Sequence, residues 1–159
     1  MHIYIADLDT ICNPDDLISK LSPADIVRYQ SFHREIRAKQ FLVSHAIVSD
    51  IRDKFKYISI AHKDNLVVVG ASDTPIGVDI EDTSRNRDFD SLAELMNFHT
   101  VKNAGEFYRL FTLYEAEYKA RSATNLQKHF YRIGKYMIGI VSNDLETVWV
   151  NQNLIPEQT

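Results

Sequence analysis

The chain has 159 residues, enough for one core of ordinary size or for two small lobes packed together, and its composition is that of a globular protein. A formal net charge of −4 gives no reason to expect nucleic acid as the main partner, since proteins that bind it usually carry a basic face. The single cysteine, Cys12, excludes an internal disulfide and a zinc site made only of cysteines. The sequence has no secretion signal and no apolar run of membrane-spanning length, which predicts a cytoplasmic protein without a membrane partner.

Charge is unevenly distributed along the chain. Residues 73–94 are rich in acids, whereas residues 28–56 are rich in bases. This division suits an anionic ligand that bridges a basic and an acidic lobe, although two solvated helix faces would give the same pattern. The basic residues of the first segment are Arg28, Arg34, Arg37, Lys39, Arg52, Lys54 and Lys56.

The first part of the chain predicts one strand followed by three helices. Ser22 and Pro23 form a good helix start, because serine is a favoured N-cap and proline suits the first helical position. The longest helix is amphipathic, with apolar residues repeating at helical spacing on one face. The predicted elements are a strand over 2–8 and helices over 14–21, 23–31 and 34–55.

The rest of the chain predicts two groups of three strands, separated by two helices. The link at residues 73–75 is turn-like because it contains Asp73 and Pro75. The predicted strands are 57–61, 66–72, 76–81, 129–133, 136–141 and 147–151, and the predicted helices are 89–97 and 104–120.

A weak internal repeat relates the two groups. Residues 66–73 resemble residues 136–143, and each segment follows a long helix and a strand. Short alternating strands also look alike by chance, but a duplication would give an α+β fold of two pseudo-symmetric lobes, each a long helix on a small antiparallel sheet. We expect lobes at 1–75 and 76–159 that form one compact unit.

The register of this repeat sets Asp79 against Trp149 and Glu81 against Asn151. Only one copy would then carry a pair of acids, so two lobes would form a single site.

Strand 76–81 presents Asp79 and Glu81 on one face, because side chains two apart in a strand point the same way. Acids are disfavoured in strands, and a bound divalent cation is the simplest reason for two of them, although a solvated edge strand is an alternative. Helix 104–120 supplies a third carboxylate, Glu115, with Lys119 one turn beyond it on the same face. An ordinary ion pair between Glu115 and Lys119 is the alternative for the helix.

Taken in order, four segments resemble the signature of 4′-phosphopantetheinyl transferases, in particular the two-lobed, surfactin-synthetase-type branch. The Gly-Val-Asp-Ile-Glu strand and the helix that contains Glu115 and Lys119 are similar to the paired motif of that family. A strand ending in His62 is similar to the segment that precedes this motif. The resemblance covers residues 22–141, and the segments are Ser22–Pro23, Tyr57–His62, Ile76–Glu81 and Phe111–Lys119.

The resemblance implies transfer of the 4′-phosphopantetheine arm of coenzyme A to a serine of an acyl or peptidyl carrier protein, with release of 3′,5′-ADP. It implies two lobes with the site between them, and we expect a monomer. Magnesium prefers oxygen ligands and keeps phosphates and water in its shell, so Asp79, Glu81 and Glu115 are its expected protein ligands. Glu115 and Lys119 are the expected catalytic residues: Glu115 is the base, acting directly or through water, and Lys119 either holds the phosphate or assists the leaving group.

The remaining expected contacts are peripheral to the acids. His62 is expected to bind a phosphate of coenzyme A, and Arg28 and Lys39 its 3′-phosphate. A structural histidine and two ordinary surface charges are the alternatives. Lys102 and Arg109 are expected to contact the carrier protein, because carrier proteins are commonly acidic.

The chain departs from the family pattern at several positions. Tyr114 replaces the lysine before the helix glutamate, Ala61 replaces a serine, and Gln40 replaces an arginine. The usual Gly-Lys-Pro segment is absent before the strand that ends in His62, and Phe111 stands where tryptophan is common. These departures favour an alternative, a non-catalytic family member that binds carrier protein or nucleotide without turnover. An unrelated α+β protein that binds a metal and another phosphate ester is the other alternative.

Overall fold

The described residues of the computed structural model are 1–11, 13–85, 87–98, 101–121, 123–144, 146–151 and 157–158, and they form five α-helices and eight strands. The helices are α1 (Pro14–Ile18), α2 (Pro23–Gln30), α3 (Glu35–Ile51), α4 (Phe89–Leu95) and α5 (Ala104–Lys119). The strands are β1 (His2–Asp7), β2 (Tyr57–Lys63), β3 (Leu66–Ser72), β4 (Ile76–Asp82), β5 (Gln127–Ile133), β6 (Tyr136–Ser142), β7 (Val148–Asn151) and β8 (Glu157–Gln158).

These elements form two four-stranded sheets, which confirms the predicted α+β class. The first sheet has the order β2-β3-β1-β7 and the second has the order β4-β6-β5-β8. All pairs are antiparallel except β1 with β7, which run parallel. The first sheet is therefore mixed, and the prediction of two purely antiparallel sheets was wrong in this respect.

The sheets share a core cluster between them, and each carries one long helix on its outer face. In β3, Leu66 and Val68 join the cluster between the sheets, whereas Val67 and Val69 pack beneath α3. Both faces of this strand are covered, which explains why its sequence is a continuous apolar run rather than an alternating one. In the same way, α5 covers the outer face of the second sheet.

The two halves of the chain repeat one pattern of strand pairing. In the first half β1 pairs with β3 and β3 with β2, and in the second half β4 pairs with β6 and β6 with β5. By this pairing β4 corresponds to β1, not to β7. Asp79 and Glu81 oppose Gly139 and Met137 across the β4–β6 pair.

The predicted register of Asp79 against Trp149 is therefore wrong. Trp149 and Asn151 lie beside Ile3 and Ile5 in the parallel pair of β1 with β7. In β1 the positions equivalent to the two acids are Tyr4 and Ala6, which pair with Val69 and Val67. The acid pair still occurs in only one of the two copies.

Element boundaries follow local signals closely. Ser22 Oγ accepts a hydrogen bond from the Asp25 backbone N–H at 3.2 Å, as expected of an N-cap. Helix α3 ends at Ile51 rather than at residue 55, and Phe55 instead packs its ring on His2, with ring centroids 4.8 Å apart. Among the described residues, no helix has the length and apolar character needed to cross a membrane.

The expected boundary at 75/76 falls between β3 and β4, where the chain leaves one sheet for the other. Strand β7 then returns residues Val148–Asn151 to the first sheet.

Candidate active site

The site begins with a close approach of α5 to β4. A Cβ atom built on Gly77 would lie 1.8 Å from the backbone oxygen of Ala116, a distance no side chain tolerates. On the neighbouring β6, a Cβ atom on Gly139 would lie 2.9 Å from Thr112. These two glycines let the helix rest directly on the sheet. Because Asp79 is two residues after Gly77, its side chain points toward the same helix.

Asp79 and Lys119 meet at this contact. The Lys119 Nζ donates hydrogen bonds to Asp79 Oδ1 at 2.8 Å and to the Val78 backbone oxygen at 3.0 Å. The other carboxylate oxygen of Asp79, Oδ2, is buried and has no hydrogen-bond partner among the described residues. A buried carboxylate oxygen without a donor is costly, so it marks a place where a cation or donor would be stabilised.

The environment of Asp79 is electrostatically unusual. Burial raises the pKa of its carboxyl to about 6, although Lys119 pulls the pKa down. The charges of Glu81 and Glu115 raise it further, so Asp79 lies in the field of both other acids. An acid with a raised pKa beside further carboxylates is a recurring property of functional sites.

Glu81 is held by two cations, one on β2 and one in the loop before α4. Lys63 Nζ, at the end of β2, lies 2.5 Å from Glu81 Oε2, and Arg87 Nη2 lies 3.6 Å from the same oxygen. The side chains of Lys63 and Glu81 are only 15% and 14% exposed, so their pair is poorly screened by solvent. Since β2 and β4 belong to different sheets, this ion pair joins the two sheets. Sequence reasoning missed Lys63 and Arg87, whose only signals were their positions beside His62 and the acid-rich loop.

Glu115 is half-buried on α5, one turn before Lys119. Within the described part of the chain, its carboxylate makes no hydrogen bond or ion pair. The alternative of an ordinary helical ion pair is not what the structure shows, since Lys119 bonds to Asp79 instead. Glu115 is thus a carboxylate whose charge is felt by Asp79 and whose oxygens are available to a ligand.

His62 is half-buried next to this group, and Arg37 fixes its hydrogen-bonding state. Arg37 Nη1 lies 3.2 Å from His62 Nδ1. Because a guanidinium only donates, Nδ1 must accept and the ring proton must be on Nε2. Burial lowers the pKa of His62, and the charges of Arg37 and Lys119 lower it further. The neutral ring therefore has one N–H to offer an anion.

Arg28 and Lys39 are engaged elsewhere. The guanidinium of Arg28 lies over the Phe41 ring, 5.3 Å from its centroid. Lys39 pairs with Glu35 at 2.7 Å on the exposed side of α3. The structure does not bring either residue to the wall of the groove described next.

An open groove of about 1210 Å³ runs between β2 and the last turns of α5, beside Lys119. This volume exceeds the few hundred to one thousand Å³ of common ligand pockets, so it admits an extended ligand. Glu117 on its wall is neutralised by Lys128 at 2.5 Å, whereas Lys56 and Arg121 have no acidic partner among the described residues. The groove therefore favours an anionic ligand.

The departures from the family pattern have local explanations. Ala61 is buried in the core between the sheets, where a serine hydroxyl would need a partner. Gln40 is buried and donates from Nε2 to the Asp64 backbone oxygen at 2.8 Å. Tyr114 is 47% exposed and meets Phe98 edge-on, with centroids 6.2 Å apart. Its ring therefore lies between Phe98 and solvent.

The two residues expected to contact a carrier protein are both exposed. The Lys102 backbone N–H donates to Glu106 at 2.7 Å, before α5. The guanidinium of Arg109 lies over the Phe130 ring, 4.3 Å from its centroid.

Magnesium needs several oxygen ligands in one place. As the side chains stand, the described residues contain no group of three or more His, Cys, Asp or Glu that could hold a metal ion. The carboxylate chemistry nevertheless suits magnesium, and the unpartnered Oδ2 of buried Asp79 points to a missing cation or donor. Asp79, Glu81 and Glu115 would hold it.

No protein-family model matches the chain, and no curated protein matches it. Function is therefore inferred from the side chains of the site and from the motifs that resemble the transferase family. Two of those motifs, on β4 and α5, contribute the acids and Lys119, and the strand ending in His62 lies alongside.

Proposed function

We propose that the protein is a magnesium-dependent 4′-phosphopantetheinyl transferase that moves the arm of coenzyme A to a serine of an acyl or peptidyl carrier protein. One observation carries the proposal. Asp79 on β4 lies in the field of Glu81 and of Glu115 on α5, and it is bonded to Lys119, which lines a groove of about 1210 Å³. Acids, an ammonium group and an open cationic groove are what chemistry on a diphosphate requires.

The reaction joins the serine oxygen to the phosphorus of the arm and breaks the bond between that phosphorus and the oxygen it shares with 3′,5′-ADP. Magnesium supplies charge neutralisation and orientation of the diphosphate. Glu115 accepts the serine proton, because its carboxylate has no hydrogen-bond or ion-pair partner among the described residues. Lys119 stabilises the charge that develops on the phosphate, from a position that its bonds to Asp79 and Val78 fix.

The groove is the proposed place of coenzyme A. Lys56 and Arg121 face it without acidic partners among the described residues. His62 lies outside the lining, but it feels the charge of Lys119 and has an Nε2–H to offer. These groups replace Arg28 and Lys39, whose side chains contact Phe41 and Glu35, as the proposed phosphate contacts.

The test is transfer itself. Purified protein is incubated with an apo carrier protein, coenzyme A and magnesium, and the carrier is examined for a mass gain of one phosphopantetheine arm. Asp79→Ala and Glu115→Ala are each expected to abolish the gain while circular dichroism shows a folded protein. Lys20→Ala, on a surface pair with Asp50, is the control expected to keep activity. No gain with several carriers would refute the proposal.

A second candidate is binding of carrier protein or nucleotide without turnover. It is favoured by one observation, that Lys63 and Lys119 already occupy the carboxylates of Glu81 and Asp79. Coenzyme A binding that is indifferent to magnesium and to Asp79→Ala would support this candidate over the transferase.

A further inference from the structure

We infer that Lys63 competes with a metal ion for the carboxylate of Glu81. Its ammonium group stays bound to this carboxylate until a divalent cation and a diphosphate bind together. The Glu81 carboxylate would then be a ligand of the cation, and the ammonium of Lys63 would be available to contact the diphosphate. This inference rests on the proposed function for the identity of the ligand, coenzyme A. It concerns Lys63, which no motif of the family pattern includes.

The geometry of the pair carries the inference. Lys63 Nζ lies 2.5 Å from Glu81 Oε2, within charge-assisted hydrogen-bonding distance, and both side chains are mostly buried. Arg87 approaches the same oxygen at 3.6 Å, so it is the weaker of the two partners. A metal that binds Oε2 of Glu81 must therefore displace Lys63, and a metal on the other oxygen would still lie close to the lysine's positive charge.

Charge balance explains why displacement needs both ligands. The formal charges of three acids, Asp79, Glu81 and Glu115, and of three cations, Lys63, Arg87 and Lys119, add up to zero, although two of the cations bind Glu81 and none binds Glu115 among the described residues. A divalent cation alone would leave the site with two excess positive charges in a poorly solvated place. A diphosphate alone would meet cations that are already bound to carboxylates. Arriving together, the two ligands add charges that cancel, and each cation of the protein keeps an anionic partner.

The consequence is positive coupling between metal and diphosphate. Coupling is reciprocal, so coenzyme A raises the affinity for the metal by the factor by which the metal raises the affinity for coenzyme A. Lys63 sets part of this factor, because it lowers the affinity for the metal when the diphosphate is absent and binds the diphosphate when the metal is present.

The experiment measures Mn²⁺ affinity from the free Mn²⁺ signal in electron paramagnetic resonance, with and without coenzyme A. Lys63→Met is compared with the wild type and with Lys20→Met, which removes the same charge from an exposed pair of equal 2.5 Å length. Without coenzyme A, Lys63→Met is expected to bind Mn²⁺ about tenfold more tightly than the wild type. With coenzyme A, this advantage is expected to shrink or reverse.

A double-mutant cycle locates the effect at Glu81. In a Glu81→Gln background, Lys63→Met is expected to change Mn²⁺ affinity no more than Lys20→Met does. Lys63→Gln serves as a second variant if the methionine impairs folding, which thermal unfolding checks.

The possible outcomes separate this inference from the proposed function. Mn²⁺ affinity that is unchanged or weakened in both Lys63 variants, or no Mn²⁺ binding by any form, would overturn the inference. Tighter binding by the variants in a protein that transfers no arm would support the exchange and refute the transferase. Arm transfer by the wild type, together with Mn²⁺ affinity that is unchanged in the Lys63 variants, would support the transferase and overturn the exchange.

Discussion

The replacement Asp79→Asn is expected to stabilise the protein at neutral pH, although it removes a residue of the site. Asp79 is 9% exposed, and its pKa is raised from 3.8 to about 6, chiefly by burial. Above pH 6 the folded protein therefore holds an ionised carboxylate that water would solvate better in the unfolded chain. Asparagine has nearly the same shape and is neutral at every pH.

The magnitude follows from the difference in proton affinity. A pKa difference between 3.8 and about 6, at about 1.4 kcal/mol for each tenfold change, corresponds to about 3 kcal/mol. This figure already includes the attraction of Lys119, which pulls the pKa down. The stability that protonated Asp79 contributes is fully present below pH 3.8 and is lost as the pH rises through about 6.

The assay is urea unfolding of wild type and Asp79→Asn between pH 4 and pH 8, with a chelator to remove divalent cations. The free energies of unfolding are expected to be similar near pH 4 and to differ by about 3 kcal/mol, in favour of the variant, above pH 7. Asp73→Asn, at an exposed aspartate between β3 and β4, controls for the loss of one charge. A variant that is less stable than the wild type at pH 8, or a difference that does not vary with pH, would refute this reasoning.

Three further predictions concern the surroundings of the acids. Gly77→Ala is expected to lower the free energy of unfolding by about 2 kcal/mol or more, because its Cβ would overlap the backbone of α5. The control, Gly134→Ala, lies at a turn with φ of 54° and open space, and it is expected to cost about 1 kcal/mol. Equal losses in urea unfolding would contradict the packing account. Lys119→Met is expected to raise the pKa of Asp79 above about 6, since Lys119 is the main group that lowers it, as carboxyl NMR titration would show. Burial raises the pKa of Asp82, but hydrogen bonds from its neighbours outweigh burial and hold the pKa well below its usual range. Asp82→Asn is therefore expected to cost about 1–3 kcal/mol of stability at pH 7. The wild type loses this contribution as the pH falls below 3.8, so the difference in free energy of unfolding between wild type and variant should disappear in acid unfolding curves.

Local patterns predicted the elements well but could not identify every partner. The apolar run of β3 and the cap at Ser22 are properties of neighbouring residues, and both elements formed where expected. The pairing of β7 with β1 joins segments that are far apart in the sequence. No local signal indicates that β7 pairs with β1 rather than with β6. This is why the register of Trp149 was wrong.

In the site, too, local patterns predicted some features and missed contacts between distant residues. Periodicity alone set Asp79 and Glu81 on one face of β4 and Lys119 one turn after Glu115 on α5. It gave no means of seeing that Lys63, from the other sheet, binds Glu81. Whether a long basic side chain reaches an anion depends on tertiary packing, so the roles expected of Arg28 and Lys39 were the least determined by sequence.

The contact at Gly77 also limits how the site can be redesigned. The separation of β4 from α5 is set by a hydrogen atom against a backbone oxygen, not by side chains that can be exchanged. Substitutions at Asp79 or Glu115 alter which groups face each other, but they leave the spacing between strand and helix unchanged. Changing the distance between the groups that face each other would therefore require moving the whole helix, a change that single substitutions do not supply.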